Sequence, residues 1–134
     1  MLMGLKRIYE KPDITDGKRI LVDRLWPRGV KRSTANVDLW LKAVAPSDEL
    51  RQWFAHDPEK WKEFQAKYKK ELDGSKPLKE LVHLVKTTDV TILYAAKDPE
   101  HNNAIVLAGI IEERINHPGH EDEQESKSRG SKAS

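Results

Sequence analysis

Val90-Thr91-Ile92-Leu93-Tyr94-Ala95-Ala96-Lys97-Asp98-Pro99-Glu100-His101-Asn102-Asn103-Ala104-Ile105-Val106-Leu107-Ala108-Gly109-Ile110-Ile111 is the stretch whose reading decides the fold. Val90 to Tyr94 is short, apolar and β-branched, so it predicts a buried strand. Asp98 suits an N-cap and Pro99 the first helical position. Ala104 to Ile111 is apolar on almost every face, the mark of a buried helix. A strand that runs through a polar turn into a buried helix is half of a βαβ unit. In open α/β sheets, ligands sit at the carboxyl ends of the strands. The turn places Lys97, His101, Asn102 and free helix N–H groups at that position.

Working outward, Leu5-Lys6-Arg7-Ile8-Tyr9 predicts a first strand, and Lys18-Arg19-Ile20-Leu21-Val22-Asp23 a second that ends in charge. Pro12, Asp13, Asp16 and Gly17 break the chain between them. Their short link leaves the mutual direction of these two strands open. Trp26-Pro27-Arg28-Gly29 stops regular structure. Val37, Trp40, Leu41 and Val44 fall at helical spacing, which predicts a helix. Ser47 is placed to cap a second helix, with Leu50, Trp53 and Phe54 inward. Asp57-Pro58 opens a third, with a stripe of Trp61, Phe64, Tyr68 and Leu72, and Gly74 suits its exit. Pro77 opens a fourth, with Leu78, Leu81, Val82 and Val85 inward. The expectation is an α/β fold: a small, mainly parallel three-stranded sheet covered by about five helices on more than one side. Trp40, Trp53, Phe54, Trp61, Phe64 and Ile111 are expected in the core.

Residues 1–116 form the expected single domain. Residues 117–134 hold one Ala as their only apolar residue, with three basic and four acidic residues. Such a segment buries too little surface to offset its ordering entropy, so it predicts a disordered polar tail. The remaining 21 basic and 18 acidic residues leave residues 1–116 at +3. That balance is too even to indicate nucleic acid from charge alone.

Of the 134 residues, 37% are hydrophobic and 34% charged. No apolar run approaches the roughly 18 residues of a membrane span, and the start lacks the layout of a secretory signal. The chain has no cysteine, which excludes disulfides, thiol nucleophiles and thiolate metal sites and fits a cytoplasmic location. No Gly-rich phosphate loop, His-Glu-x-x-His pair or Gly-x-Ser-x-Gly elbow occurs. No cofactor or metal is therefore expected.

Two strand ends carry the unusual residues. Parallel neighbouring strands would bring Asp23, Arg24, Trp26 and Arg28 to the same mouth as Lys97, Asp98, His101 and Asn102. Arg24, Arg28 and Lys97 around a helix N-terminus suit an anion, because N–H groups and the helix dipole add to the side-chain charge. Asp23 suits a base or a partner that orients an arginine, and His101 a proton shuttle. Trp26, in a loop beside arginines, is the tryptophan placed to stack on a ligand. Each has a simpler reading: Asp23 as an ion-pair partner, Arg28 as a donor to backbone carbonyls of its own loop, Asp98 as an N-cap, Lys97 as a surface charge, and His101 as a carboxylate's partner.

Ile20-Leu21-Val22-Asp23-Arg24-Leu25-Trp26-Pro27-Arg28-Gly29-Val30, Asp38-Leu39-Trp40-Leu41-Lys42, Ala45-Pro46-Ser47, Trp53-Phe54-Ala55-His56-Asp57-Pro58 and Leu93 to Asn102 together resemble the signature of the domain-of-unknown-function 488 family, in its YeaO-like branch. The resemblance covers about residues 5–112. It implies a small α/β domain of prokaryotic cytoplasm without an established reaction. The wider family often has Cys where this chain has Tyr94, and Cys-His-Arg where it has Asn102-Asn103-Ala104. Those departures remove any thiol chemistry here. A porphyrin methyltransferase label carried by some relatives finds no support in this sequence.

Three functions compete. The first is an enzyme, or enzyme-like protein, acting on a small anionic or phosphorylated ligand, with Arg24, Arg28 and Lys97 binding and Asp23 and His101 as acid or base. It requires charges that converge on a pocket. The second is a nucleic-acid or regulatory module using the same basic cleft without catalysis, which requires an open basic strip. The third is a stress-related interaction domain with no ligand, which requires an exposed apolar patch. Oligomeric state is open on each.

Overall fold

Four strands, β1 (Met3–Arg7), β2 (Lys18–Leu21), β3 (Leu39–Trp40) and β4 (Val90–Tyr94), form one parallel sheet in the order β1-β4-β2-β3. The computed structural model describes residues 3–117. The segment expected as a tail, His117 apart, lies outside the described residues. β4 is central and all five of its residues are buried, as its unbroken apolar sequence requires. Ile92 lies level with Leu5 on β1 and with Ile20 on β2. β1 and β2 are therefore parallel but not adjacent, because β4 inserts between them.

Alternate residues of the strands face opposite ways. Ile20, Val22, Val90, Ile92 and Tyr94 meet the four longer helices, α2 (Asp48–Phe54), α3 (Trp61–Leu72), α4 (Lys76–Thr87) and α5 (Asn103–Asn116). Leu21, Leu93 and Ile8 meet Trp26, Val30, Val37 and Trp40 on the other face. That second face is covered by an irregular segment containing a single helical turn, α1 (Arg32–Ala35). Ser47 and Ser75 cap α2 and α4 by accepting from Leu50 N and Leu78 N. Asp57 caps a 3-10 turn, Pro58–Lys60, that leads into α3. Among the described residues, no helix is long and apolar enough to cross a membrane.

Three expectations are corrected. The sheet has four strands, because Leu39–Trp40 adds an edge strand where Val37 to Val44 predicted a helix. The open edge of β2 takes this segment: Asp38 N donates to Arg19 O and Leu41 N to Leu21 O, both at 2.8 Å. Trp40 then faces one side of the sheet while Leu41 and Val44 join the other. The helical spacing was a coincidence of a strand followed by a 3-10 turn. The last helix begins at Asn103, not Pro99. Asp98 closes its own turn by accepting from Glu100 N at 2.9 Å, and Asn102 is the N-cap, accepting from Ile105 N at 3.0 Å. Phe54, Phe64 and Ile111 are buried, but Trp40, Trp53 and Trp61 are only half-buried. Each indole keeps a polar or cationic neighbour at the surface: Trp40 Nε1 donates to Asp23 O, Lys60 and Lys67 lie over Trp53, and Trp61 meets the His101 ring.

Candidate functional site

β2 and β4 are neighbours, yet the chain leaves them in opposite directions. From β2 it runs outward to β3; from β4 it runs into α5, which packs back on β4 and β1. Such a divergence opens a crevice at the carboxyl ends of the strands. The crevice here is a cleft of about 700 Å³. Asp23, two residues past β2, closes its base, with Oδ2 accepting from Ala95 N at 2.9 Å. Arg7, at the end of β1, holds the other side of that loop by donating to Ala96 O at 2.9 Å and Ala95 O at 3.0 Å. Three strand ends are thus tied into one rim by hydrogen bonds.

All eight side chains expected at the site line this cleft, and they divide into three sets. Four are committed to holding the rim. Asn102 is 2% exposed and caps α5, while its Nδ2 donates to Asp98 O at 2.9 Å. Asp98 and His101 pair at 2.8 Å. The Glu100 N–H and the His101 side chain hold the Asp98 carboxyl below its ordinary range. Trp26 donates to Val30 O at 2.7 Å and sets its ring edge to Trp40, with centroids 5.3 Å apart. Arg24 is intermediate: its Nε donates to Pro46 O at 3.0 Å, and Asp48 lies 3.9 Å away.

The remaining three, Asp23, Arg28 and Lys97, face the cleft with chemistry to spare. Burial pushes the Asp23 carboxyl up, against the Ala95 N–H, the Asn103 side chain and the charge of His56. Arg28 and Lys97 are exposed. Among the described residues their cationic groups make no hydrogen bond or ion pair. The Arg28 loop is itself fixed, because Tyr9 Oη donates to Arg28 O at 2.9 Å.

Sequence reasoning missed the opposite wall. Arg51, Phe54, His56, Phe64 and Asn103 also line the cleft. Phe54 and Phe64 are 5% and 2% exposed and stack at 4.3 Å, forming an apolar interior. Ala55 and His56 follow α2 with φ of 46° and 58°, left-handed positions that cost a non-glycine residue on the order of 1 kcal/mol or more. His56 reads in the sequence as a helix start, and no local signal marks it as a neighbour of Asp23. Asn103 Nδ2 donates to Val22 O at 3.0 Å, joining α5 to the end of β2. Beneath the cleft, burial and the nearby Asp23 charge push the Tyr68 phenol up, and its hydroxyl donates to Val44 O. Among the described residues, no group of three or more His, Asp and Glu side chains is placed to hold a metal ion.

These features define a small open-sheet α/β protein with a cation-rimmed, apolar-walled cleft at its switch point. The particular family follows from comparison with known proteins. The chain belongs to the DUF488 family: the family model DUF488-N3i, described as "Inactive DUF488-N3 subclade", matches residues 2–130. That match runs well past the residues 5–112 over which the motifs carry the resemblance. The chain is 43% identical over 108 residues to the Uncharacterized protein Rv3073c of Mycobacterium tuberculosis (strain ATCC 25618 / H37Rv), covering 81% of this chain and 92% of that protein. It is 41% identical over 109 residues to the Uncharacterized protein YeaO of Escherichia coli (strain K12), covering 81% and 95%. No solved structure gives a significant match.

Proposed function

We propose that the protein binds a small anionic or phosphorylated ligand in the cleft at the strand ends, and that it does so without turning the ligand over. The observation that carries this reading is the pair of cationic side chains, Arg28 and Lys97, that line one cleft and make no hydrogen bond or ion pair among the described residues. Nearby, α5 starts at Asn103, which lines the same cleft, and the positive end of its dipole adds to the attraction for an anion. The binding-only part is supported by the "Inactive" description of the matching family model. It is supported too by where the sequence departs from the wider family pattern. Tyr94 ends β4, and Asn102 and Asn103 line the cleft, so the thiol and imidazole that the resemblance implies elsewhere are replaced at the cleft by an N-cap and a strand-end hydrogen bond. The alternative, nucleic-acid binding by the same cleft without catalysis, calls for an open basic strip, whereas Arg28 and Lys97 line one cleft.

The test is titration of the full chain with inorganic phosphate and sulfate, followed by calorimetry and by NMR. Arg28→Ala and Lys97→Ala should each weaken binding about tenfold, because a charge-assisted hydrogen bond is lost. Their unfolding midpoints should stay at the wild-type value, as neither charged group has a hydrogen-bond or ion-pair partner among the described residues. A wild type that binds neither anion, or two variants that bind as tightly as wild type, refutes the reading.

A further inference from the structure

The arrangement of charge within the cleft says more about the ligand than its sign. The cations are at the exposed rim, Arg28 and Lys97, while the carboxylate is deeper, tied to Ala95 N at 2.9 Å. The Phe54 and Phe64 rings, 5% and 2% exposed, line the same cleft. A cleft of about 700 Å³ is far larger than one phosphate needs and lies within the roughly 300–1,000 Å³ of sites for small organic molecules. A bare anion drawn inward would meet Asp23 as a like charge.

Resting on the anion reading above, we infer that the ligand is an anionic molecule with a flat, unsaturated ring system that presents N–H donors at the end remote from its anionic group, as a phosphorylated nitrogen heterocycle does. Its phosphate or carboxylate meets Arg28 and Lys97 at the rim. Its ring lies against the edges of Phe54 and Phe64 that line the cleft, since their faces are stacked on one another and on Trp61, and an edge-to-face contact suits a flat ring. Its N–H edge donates to the Asp23 carboxylate, whose two oxygens carry more lone pairs than the Ala95 N–H and the Asn103 side chain use. The elevation of the Asp23 carboxyl by burial accords with a group that lacks enough donors until a ligand supplies them. His56, held at a positive φ on the opposite wall, closes the same end of the cleft.

Three probes separate the parts of this inference: inorganic phosphate, which has only the anion; phenyl phosphate, which adds a flat ring; and guanosine 5′-monophosphate, which adds an N–H edge. Affinity of the full chain, measured by NMR titration, should rise along that series, by about tenfold or more from first to last. Asp23→Asn should remove the gain of guanosine monophosphate over phenyl phosphate and leave the other two unweakened. The Asn oxygen still accepts from Ala95 N, but its amide then meets the ligand's donors with donors of its own. Retained phenyl phosphate binding shows that this variant is folded. Arg28→Ala should weaken all three probes. If guanosine monophosphate binds no tighter than phenyl phosphate, or if Asp23→Asn weakens all three alike, the donor-edge inference is overturned, and the anion reading stands or falls separately on Arg28→Ala. If no probe binds, both are overturned.

Discussion

Phe64→Ala should be among the most damaging single changes in this protein, and its size follows from the surroundings of the ring. Phe64 is 2% exposed. It stacks on Phe54 at 4.3 Å and on Trp61 at 5.7 Å, and lies against Tyr68 at 5.7 Å. Truncating a fully buried Phe to Ala costs about 3–5 kcal/mol, combining lost transfer energy with a residual void. Ring–ring contacts place this site toward the upper part of that range. One feature acts the other way: Phe64 also lines the cleft, so water or neighbouring side chains can fill the vacated space and reduce the void penalty. The expected loss is about 3–4 kcal/mol. With an unfolding entropy of about 2.1 cal/mol/K per residue over the described residues, the midpoint should fall by about 12–17 °C. Urea unfolding followed by the fluorescence of the four tryptophans measures the loss, with the denaturant slope unchanged if only stability is altered. Trp53→Ala is the comparison, since that ring is half-buried with Lys60 and Lys67 over it at 5.2 Å; it should cost about 1–2 kcal/mol. A Phe64→Ala loss below about 1 kcal/mol, or one no larger than that of Trp53→Ala, would show that the aromatic stack is not the support of this wall.

Gly17→Ala should cost well over about 1 kcal/mol by thermal unfolding, because Gly17 has φ of 64° and an added Cβ would come within 2.4 Å of Asp89 O. Gly29→Ala, also at positive φ but with open space around it, should cost only about 1 kcal/mol, and equal losses would refute the steric account. Asp16 is buried; burial pushes its carboxyl up, but Lys6, the Asp13 N–H and Arg19 outweigh this and hold it below its ordinary range. Its contribution is then fully present above the unfolded value of about 3.9 and is lost as pH falls through the lower folded value. The unfolding midpoint of wild type should drop below about pH 4, and Asp16→Asn should flatten that slope; an unchanged slope refutes the assignment. Asp23 has the opposite sign. Its folded carboxyl is raised, so its charge opposes folding at neutral pH and that opposition fades as the group protonates. Asp23→Asn should therefore unfold at a higher temperature than wild type at pH 7, by a margin that shrinks toward pH 4; a lower midpoint at pH 7 would overturn this.

The sequence by itself determined the elements whose signals are local. Val90 to Tyr94 is a buried strand because every residue in it is apolar or β-branched, and Ser47, Asp57 and Pro77 mark helix starts because caps and prolines act within one turn. The two strand ends that line the cleft were legible too, since charge concentrated after a buried strand has nowhere to go but the strand's mouth. Helical spacing misled at Val37 to Val44, where the free edge of β2 offered backbone partners that no local pattern reveals. The turn after β4 holds three residues able to cap, Asp98, Asn102 and Asn103, and the start of α5, packed against β4 and β1, makes Asn102 the cap. The tertiary structure alone decided that β4 enters between β1 and β2, and with it the opposite departures that open the cleft. It alone brought Phe54, His56 and Phe64 across from Asp23. Those contacts join residues tens of positions apart, and side chains that meet only through the sheet's order leave no periodicity or spacing in the chain.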